Sequence, residues 1–581
     1  MPFLSEPSYQ IVIDPNHNHQ IQKERKRKMA SNKSSPSRSH SRIKRFLICL
    51  VLMSLPLLFF VLSEKQKRVT KMLEVDPKPR PRPAWFDVIA KGIINNKKKI
   101  KVGLVNIDAR VDGSIFEQLD TLDSQVDTIS IDFDHVDKNL KWEDIFPEWI
   151  DENGKWGQPK CPNLPMPALQ NYGDLNVVVA KVPCGIRDVF RLQVNLVVAN
   201  LAVESGWVTK MESDHRKVHV VFVGSCGPMV EIFRCDDLLM HRPEYWVYRP
   251  DLRRLKHQTL MPLGSCQIAP GYAETGKEAW RIDVALTRVP KLAYVTVLHS
   301  SEAYVCGAIA LAQSILGTQT MFIETDLVLL ADNSIGPQST TGLKAAGWKI
   351  KRIQRILSPF AKKGAYNQWN YSKLRMWQLT TYDKIIFIDS DLLVLRSIHH
   401  LFVLPQLSAA PNEKTLFNSG LMVIEPSQCM FRKMMNVTSK VRSYNGGDQG
   451  FLNEIFTWWH RLPAKVNQLK TFPSSGHGMH ELPDDVYAVH YLGLKPWMCY
   501  RDYDCNWDMQ DRHVFASDSA HRRWWQVYDA MPKELQAYCG LTEKMNERIV
   551  KWRRIARNAS FSDGHWKIKV QDPRRGNYYS D

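Results

Sequence analysis

Two aspartates flank a single serine at the end of an apolar run, and the sequence KIIFID at residues 384–389 predicts a buried strand. Asp389 and Asp391 would then lie at the carboxyl end of that strand, the edge of an open α/β sheet at which ligands bind. Such a carboxylate pair suits Mn²⁺ or Mg²⁺, whose other coordination positions go to water and ligand phosphates. The pair alone is also typical of an aspartate-rich turn. The metal-site interpretation therefore depends on other segments.

Four further segments place polar or cationic side chains beside apolar runs. They are WNYSKLRMWQL at 369–379, FNSG at 417–420, YNGGDQGFLNE at 444–454 and HYLGLKPW at 490–497. His490 would complete a divalent-cation site, Lys373 and Lys495 would neutralise a pyrophosphate, and Gly493 would let the backbone approach it closely. A metal ion and cations so placed stabilise a nucleoside-diphosphate leaving group, the main electrostatic requirement of sugar transfer.

The elements that must position these residues have an α/β pattern. Short apolar runs between residues 100 and 282 predict buried strands, and residues 189–203 predict a long apolar helix, so this part is expected to form an α/β accessory domain. A second α/β domain is expected at residues 291–540. It begins with a strand, a helix at 304–316 and a strand at 327–330, and another strand is predicted at 486–491. Residues 541–581 are expected to form a basic, helical C-terminal extension.

The positive charge of the chain is concentrated at its beginning. Of 581 residues, 78 are Lys or Arg and 60 are Asp or Glu, a formal charge of +18. Residues 1–45 contribute +7 and predict a disordered tail, and residues 46–62 are an uncharged apolar run about 26 Å long as a helix. By the positive-inside rule this predicts a type II single-pass membrane protein with a cytosolic tail, a Pro-rich stem at 63–99 and a lumenal remainder. Nucleic acid is then not an expected partner, although residues 23–28 also resemble a nuclear signal.

Ten of the eleven cysteines follow the apolar run. A lumenal location would permit disulfides. Cys499 and Cys505 are the closest of these cysteines in sequence, but a single sequence leaves the connectivity open. Sequons begin at Asn370, Asn436 and Asn558, and the first is expected to be unused because it falls within the site.

Five motifs in order resemble those of glycogenin-like retaining glycosyltransferases with the GT-A fold. They are AYVTVLHSSEAYVCGAIALAQSI, FIDSDLLVL, FNSGLMVIEP, NGGDQGFLNE and HYLGLKPW, spanning residues 293–497. Segments outside this core resemble the plant glucuronic-acid-substitution-of-xylan subfamily, including FPEWIDENGKW, RLQVNLVVANLA, CYRDYDCNWD and WKIKVQDPRR. The fold implied is a mixed nucleotide-sugar-binding sheet with flanking helices, preceded by the accessory domain.

The resemblance implies transfer of glucuronate from UDP-glucuronate to xylan in an α-(1,2) linkage, with Mn²⁺, or Mg²⁺ in its place, as cofactor. It also implies that the type II membrane protein resides in the Golgi membrane. Asp389, Asp391 and His490 would bind the metal, and Asp448, Gln449 and Lys373 would be catalytic. The residues that would contact the donor are Tyr304, Asp389, Ser390, Asp391, Asn418, Ser419, Gly420, Asn445, Gly446, Gly447, Asp448, Gln449, His490, Tyr491, Leu492, Gly493, Leu494 and Lys495. A homodimer or a Golgi xylan-synthesis complex is a further expectation.

Two residues depart from the glycogenin pattern. Asn445 stands where glycogenin has an aspartate, which removes a negative charge and suits an anionic donor. Ser390 stands where relatives often have alanine. Asp448 could act as a covalent nucleophile, or the leaving phosphate could guide a front-face attack. Alternative functions are transfer of another UDP-sugar or to another acceptor, as in glycogenin, and a non-catalytic scaffold of a polysaccharide-synthesising complex.

Overall fold

The six-stranded first sheet is built by the segment that was expected to form the accessory domain. The computed structural model describes residues 82–93, 99–108, 110–122, 125–157, 160–206, 217–270, 290–319, 325–472 and 480–576. Residues 83–581 form one compact unit. The first sheet has the order β2-β1-β3-β4-β6-β5, in which β1 to β4 are parallel and the last two strands are antiparallel. Its strands are β1 (Ile100–Val105), β2 (Val126–Ile131), β3 (Val177–Lys181), β4 (His219–Val223), β5 (Leu238–Arg242) and β6 (Tyr245–Tyr248).

Helices cover this sheet. The predicted apolar helix is observed at Val189–Gly206 and is buried along nearly its whole length, because apolar residues lie on all of its faces. We label the helices of this segment α1 (Ala84–Ile93), α2 (Gly113–Asp120), α3 (Val189–Gly206) and α4 (Leu252–Thr259). The predicted α/β character is thus confirmed for this segment.

The second sheet is mixed and has seven strands in the order β14-β12-β13-β10-β7-β8-β9. Strands β7 to β10 are parallel, and β13 runs antiparallel to β10. The strands are β7 (Leu292–Leu298), β8 (Thr325–Ala331), β9 (Lys349–Arg352), β10 (Lys384–Ile388), β12 (Ser408–Pro411), β13 (Phe417–Ile424) and β14 (His460–Arg461). A small third sheet combines β11 (Leu392–Val394), β15 (Gln468–Leu469) and β16 (Ala488–His490).

Strand pairing brings the predicted site residues to one edge. Asp389 follows the last residue of β10, and its backbone N–H donates to the Gly420 carbonyl of the antiparallel strand β13 at 2.8 Å. In the third sheet, Leu392 pairs with His490. The Tyr491 N–H then donates to the Asp391 carbonyl at 3.0 Å. Three segments that are distant in sequence therefore meet beyond the carboxyl end of β10.

The helices of the second part flank these sheets. They are α5 (Val305–Thr318), α6 (Pro337–Ala345), α7 (Gln428–Met435), α8 (Asp448–Ile455), α9 (Asp518–Ala530), α10 (Lys533–Gln536) and α11 (Glu543–Asn558). Within residues 541–576, the chain packs on the preceding part. The buried Arg574, for example, donates to the carbonyls of Trp497, Cys499 and Cys539. The predicted boundaries at 100–282, 291–540 and 541–581 stay predictions.

Five disulfides are present among the described residues. Cys499–Cys505 joins the pair that is closest in sequence, and Cys235–Cys429 links the first-sheet segment to α7. The others are Cys161–Cys266, Cys184–Cys226 and Cys306–Cys539. All ten cysteines after the apolar run are therefore paired.

The predicted membrane topology has to be corrected. Among the helices of the described residues, none is long and apolar enough to cross a membrane. The predicted tail at 1–45, anchor at 46–62 and most of the stem at 63–99 lie outside the described residues. The single-pass type II Golgi topology thus has no support in the structure.

Candidate active site

Asp389, Asp391 and His490 form the predicted cluster of metal-ligand types. One ligand atom from each lies within 4.8 Å of the others. His490 Nε2 is 3.4 Å from Asp391 Oδ1, while its Nδ1 is 3.2 Å from Asn467 Oδ1. An amide oxygen only accepts hydrogen bonds, so Nδ1 carries the proton and Nε2 presents its lone pair toward the aspartates. Two carboxylates and one such imidazole fit a divalent cation.

A relay of amides fixes this orientation of the histidine. Asn467 Nδ2 donates to Asn418 Oδ1 at 2.9 Å, and the same oxygen accepts the Gly420 N–H at 2.8 Å. Gly420 also has a steric reason to be glycine, because a Cβ there would lie 2.5 Å from His490 Cε1. The FNSG segment therefore supports the imidazole through hydrogen bonds and through the space that Gly420 leaves.

Lys373 joins the metal-ligand cluster to the predicted catalytic carboxylate. It lies in the 3₁₀ segment Asn370–Gln378, and its Nζ is 2.9 Å from both Asp389 Oδ1 and Asp448 Oδ2. Burial disfavours the ammonium form, but the two carboxylates outweigh this effect and raise the pKa of Lys373. Burial raises the pKa of Asp389, an effect that Lys373 opposes and Asp391 reinforces.

Lys495 neutralises the second aspartate of the pair. Its Nζ is 2.8 Å from Asp391 Oδ2. Burial opposes ionisation of Asp391, but the Lys495 ammonium outweighs this effect and holds its pKa well below the usual range. The turn before this lysine needs Gly493, whose φ is +73° and whose Cβ would lie 2.4 Å from Asn506 Oδ1.

Asp448 and Gln449 begin helix α8, directly after the Gly-Gly turn. Asp448 Oδ2 also accepts the Ser419 hydroxyl at 2.8 Å, and Gln449 Oε1 accepts the Ser419 N–H at 3.2 Å. The side chain of Asn445 serves the turn itself, since its Oδ1 accepts the N–H groups of Gly447 and Gly450 at 2.9 and 3.1 Å. Gly446, with φ of +69°, provides the left-handed residue of the turn.

Several of the predicted donor-contact residues pack against other parts of the fold. The buried Tyr491 hydroxyl donates to the Ala520 carbonyl at 2.8 Å, and Leu494 joins a separate buried cluster with residues such as Tyr500. Tyr304 packs edge-on against Trp497, with ring centroids 5.9 Å apart. Ser390 is buried, and its carbonyl approaches Gly307 so closely that a Cβ there would be 2.5 Å away. All of these donor roles stay predictions.

Sequence reasoning missed several polar residues of this edge. His299 follows β7, and its pKa is lowered to about 4 by burial and by the nearby Lys373. Arg355 pairs with Asp332 at 3.0 Å and lies over the Trp369 ring at 4.4 Å. The motif HSSEAY could have drawn attention to His299, because it follows a predicted strand. Asn467 carried no local signal, since its position depends on long-range pairing.

Known proteins match both parts of the chain. The GUX1-5 N-terminal domain model matches residues 80–266, and the glycosyl transferase family 8 model matches residues 295–499. UDP-glucuronate:xylan alpha-glucuronosyltransferase 2 of Arabidopsis thaliana is 49% identical, over 83% of this chain and 82% of its own length. A second A. thaliana protein, provisionally named UDP-glucuronate:xylan alpha-glucuronosyltransferase 4, is 51% identical over 92% of this chain and 98% of its own length. This chain belongs to the UDP-glucuronate:xylan alpha-glucuronosyltransferase family.

Membership in this glucuronosyltransferase family confirms the resemblance that the sequence motifs indicated. A crystal structure of an active-site mutant of LgtC matches 42% of this chain and 99% of its own, with 15% identity and a TM-score of 0.31. As a family 8 member with a mixed sheet, the glucuronosyltransferase has the GT-A-like architecture that was predicted.

Proposed function

We propose that this chain is a retaining glycosyltransferase that moves glucuronate from UDP-glucuronate onto the xylan backbone in an α-(1,2) linkage. Family membership supports this donor and this acceptor, because the relatives carry both in their names. Within the chain, the supporting observation is the continuous contact from the Asp389–Asp391–His490 cluster through Lys373 to Asp448. An apolar-only pocket would have no such means of stabilising a departing diphosphate.

The three clustered ligand types would hold Mn²⁺, the ion that we propose. When bound, the cation would supply positive charge to the donor pyrophosphate. Lys373 and Lys495 would add two further positive charges at this edge of the sheet. Lys373 is paired with Asp448 and Lys495 with Asp391. Asp448 is held by Lys373 and Ser419, with its side chain only 5% exposed. We assign it, with Gln449, to the side of the donor's anomeric carbon.

Transfer assays with the purified protein test this function. We expect transfer from UDP-glucuronate to xylo-oligosaccharides with Mn²⁺, little transfer from UDP-glucose or UDP-xylose, and loss of transfer with a chelator. Asp389→Ala should reduce the rate at least about 100-fold, because it removes a ligand and leaves Lys373 with one carboxylate fewer. Folded protein that transfers no glucuronate would contradict the proposed function. Full activity of Asp389→Ala would contradict the metal assignment.

A further inference from the structure

Two tryptophans of the first-sheet segment are unusually exposed. Trp149 and Trp156 are 69% and 83% exposed, whereas every other tryptophan in the described ranges is buried or half-buried. They lie in the connection between β2 and β3, outside any helix or strand. Two large aromatic rings exposed within eight residues of one connection are a candidate surface for a ligand or a partner, because aromatic faces are the usual anchors of such contacts.

The connection that carries the two tryptophans is an ordered turn. The Asp151 carboxylate accepts hydrogen bonds from the backbone N–H groups of Asn153 and Trp156. Gly154, with φ of +66°, takes the left-handed conformation within it. Ile150, between the two tryptophans, is buried with 3% exposure. Both rings are thus presented from a fixed backbone.

The same turn is attached to the segment that orients the metal-ligand histidine. The Glu152 carboxylate accepts the Ala464 N–H at 2.8 and 3.0 Å. The buried Arg461 donates to the Pro147 carbonyl at 2.6 Å. Three residues after Ala464, Asn467 makes its hydrogen bond to His490. The aromatic turn and the candidate site are therefore coupled through one short piece of chain.

We propose that Trp149 and Trp156 form a stacking platform for a neutral β-linked pyranose chain, the xylan acceptor, as it extends away from the candidate site. This inference rests on the proposed function. The C–H groups of a pyranose ring carry partial positive charge and pack on the electron-rich face of an aromatic ring. Residues 143–157 contain five acidic residues and one lysine. This charge disfavours an anionic membrane surface, and it favours unsubstituted xylan over segments that already carry glucuronate.

Acceptor-length kinetics on the full-length protein test the platform. With UDP-glucuronate saturating, the Trp149→Ala/Trp156→Ala variant should show a KM for long, unsubstituted xylan raised about 10-fold, the loss of roughly 1.4 kcal/mol of stacking. Its kcat and its KM for a short xylo-oligosaccharide should change less than about 2-fold, since a short chain does not reach the turn. The corresponding double tyrosine variant keeps aromatic faces and should behave nearly as the wild type.

Native gels that contain neutral xylan provide a readout without turnover. Wild-type protein should be retarded, the double alanine variant much less so, and the matched control Leu239→Ala as much as wild type. Leu239 is 43% exposed on strand β5 of the first sheet. The platform would be overturned if the wild type and the double alanine variant had equal KM values and equal retardation. It would also be overturned if the tryptophans changed the self-association of the protein but left xylan binding unchanged. Retardation that depends on the tryptophans in a protein without transfer would overturn the proposed function and leave the platform standing.

Discussion

At the scale of single residues, Lys373 connects the two acidic parts of the candidate site. Its ammonium group is shared by Asp389 and Asp448, and all three side chains are mostly buried. Lys373→Ala would leave two buried carboxylates in mutual repulsion and would remove a charge that the diphosphate needs. We expect kcat for glucuronate transfer to fall at least about 100-fold, as removal of one preorganised electrostatic group does elsewhere.

A matched lysine separates this effect from a general loss of charge. Lys465 pairs with Asp485 at 3.5 Å, with side chains 30% and 56% exposed. Lys465→Ala should leave kcat within about 2-fold of wild type, because exposed ion pairs contribute little. The assignment of Lys373 would fail if both variants had similar kcat values, provided that circular dichroism shows both to be folded.

At the scale of elements, His565 attaches the C-terminal segment to helix α9. Its Nε2 is 2.7 Å from Asp518 Oδ2, its Nδ1 is 2.9 Å from Asp563 Oδ1, and its ring stacks on Trp507 at 4.6 Å. Burial alone would lower the pKa of His565, but the two carboxylates raise it to about 9. A raised pKa in the folded state stabilises the protein fully below the unfolded value of about 6.5 and no longer does so above pH 9.

The pKa shift from 6.5 to about 9 corresponds to about 3 kcal/mol over this pH range. Because the Asp518 side chain is 40% exposed and its charge is screened, we expect the free energy of unfolding to fall by about 2 kcal/mol between pH 6.5 and 9.5 through His565. His565→Gln should lack that component, whereas His241→Gln, at an exposed position on β5, should keep the wild-type slope. Urea midpoints across this pH range, under non-reducing conditions, measure the difference. A wild-type slope in His565→Gln would show that other groups cause the pH dependence.

The strands show how much of the local structure could be predicted from the sequence. The strand predicted at 384–389 is observed at Lys384–Ile388, and the one predicted at 486–491 shortens to Ala488–His490, because β11 offers only three residues for pairing. Apolar runs identify such strands because a strand that is buried in the core consists mainly of apolar residues. The 3₁₀ segment that carries Lys373, the position of Asn467 and the connectivity of the disulfides were not predicted. Each depends on contacts between residues far apart in sequence.

At the scale of the whole molecule, a buried charge cluster joins the two main sheets. Glu425, which follows β13, pairs with Arg234 and Arg254 from the first-sheet segment and with Lys384 at the start of β10. Burial would raise the pKa of Glu425, but the three cations lower it to about 2. The carboxylate is therefore ionised over the whole physiological range, and the cations around it depend on its charge.

Glu425→Gln keeps the shape of this side chain and removes the charge, which leaves three cations with side chains 8 to 40% exposed without their common partner. We expect a loss of about 3 kcal/mol in the free energy of unfolding, the usual cost of breaking a buried ion cluster. The matched control is Glu454→Gln, since Glu454 pairs with Arg187 at 3.1 Å between the same two segments but both side chains are about one-third exposed. That variant should lose less than about 1 kcal/mol. The disulfide Cys235–Cys429 also links these segments. Denaturation under non-reducing conditions keeps that link intact in every variant, so the difference between variants reports on the ion pairs. Equal losses in the two variants would mean that burial of the cluster contributes nothing to how the sheets are held together.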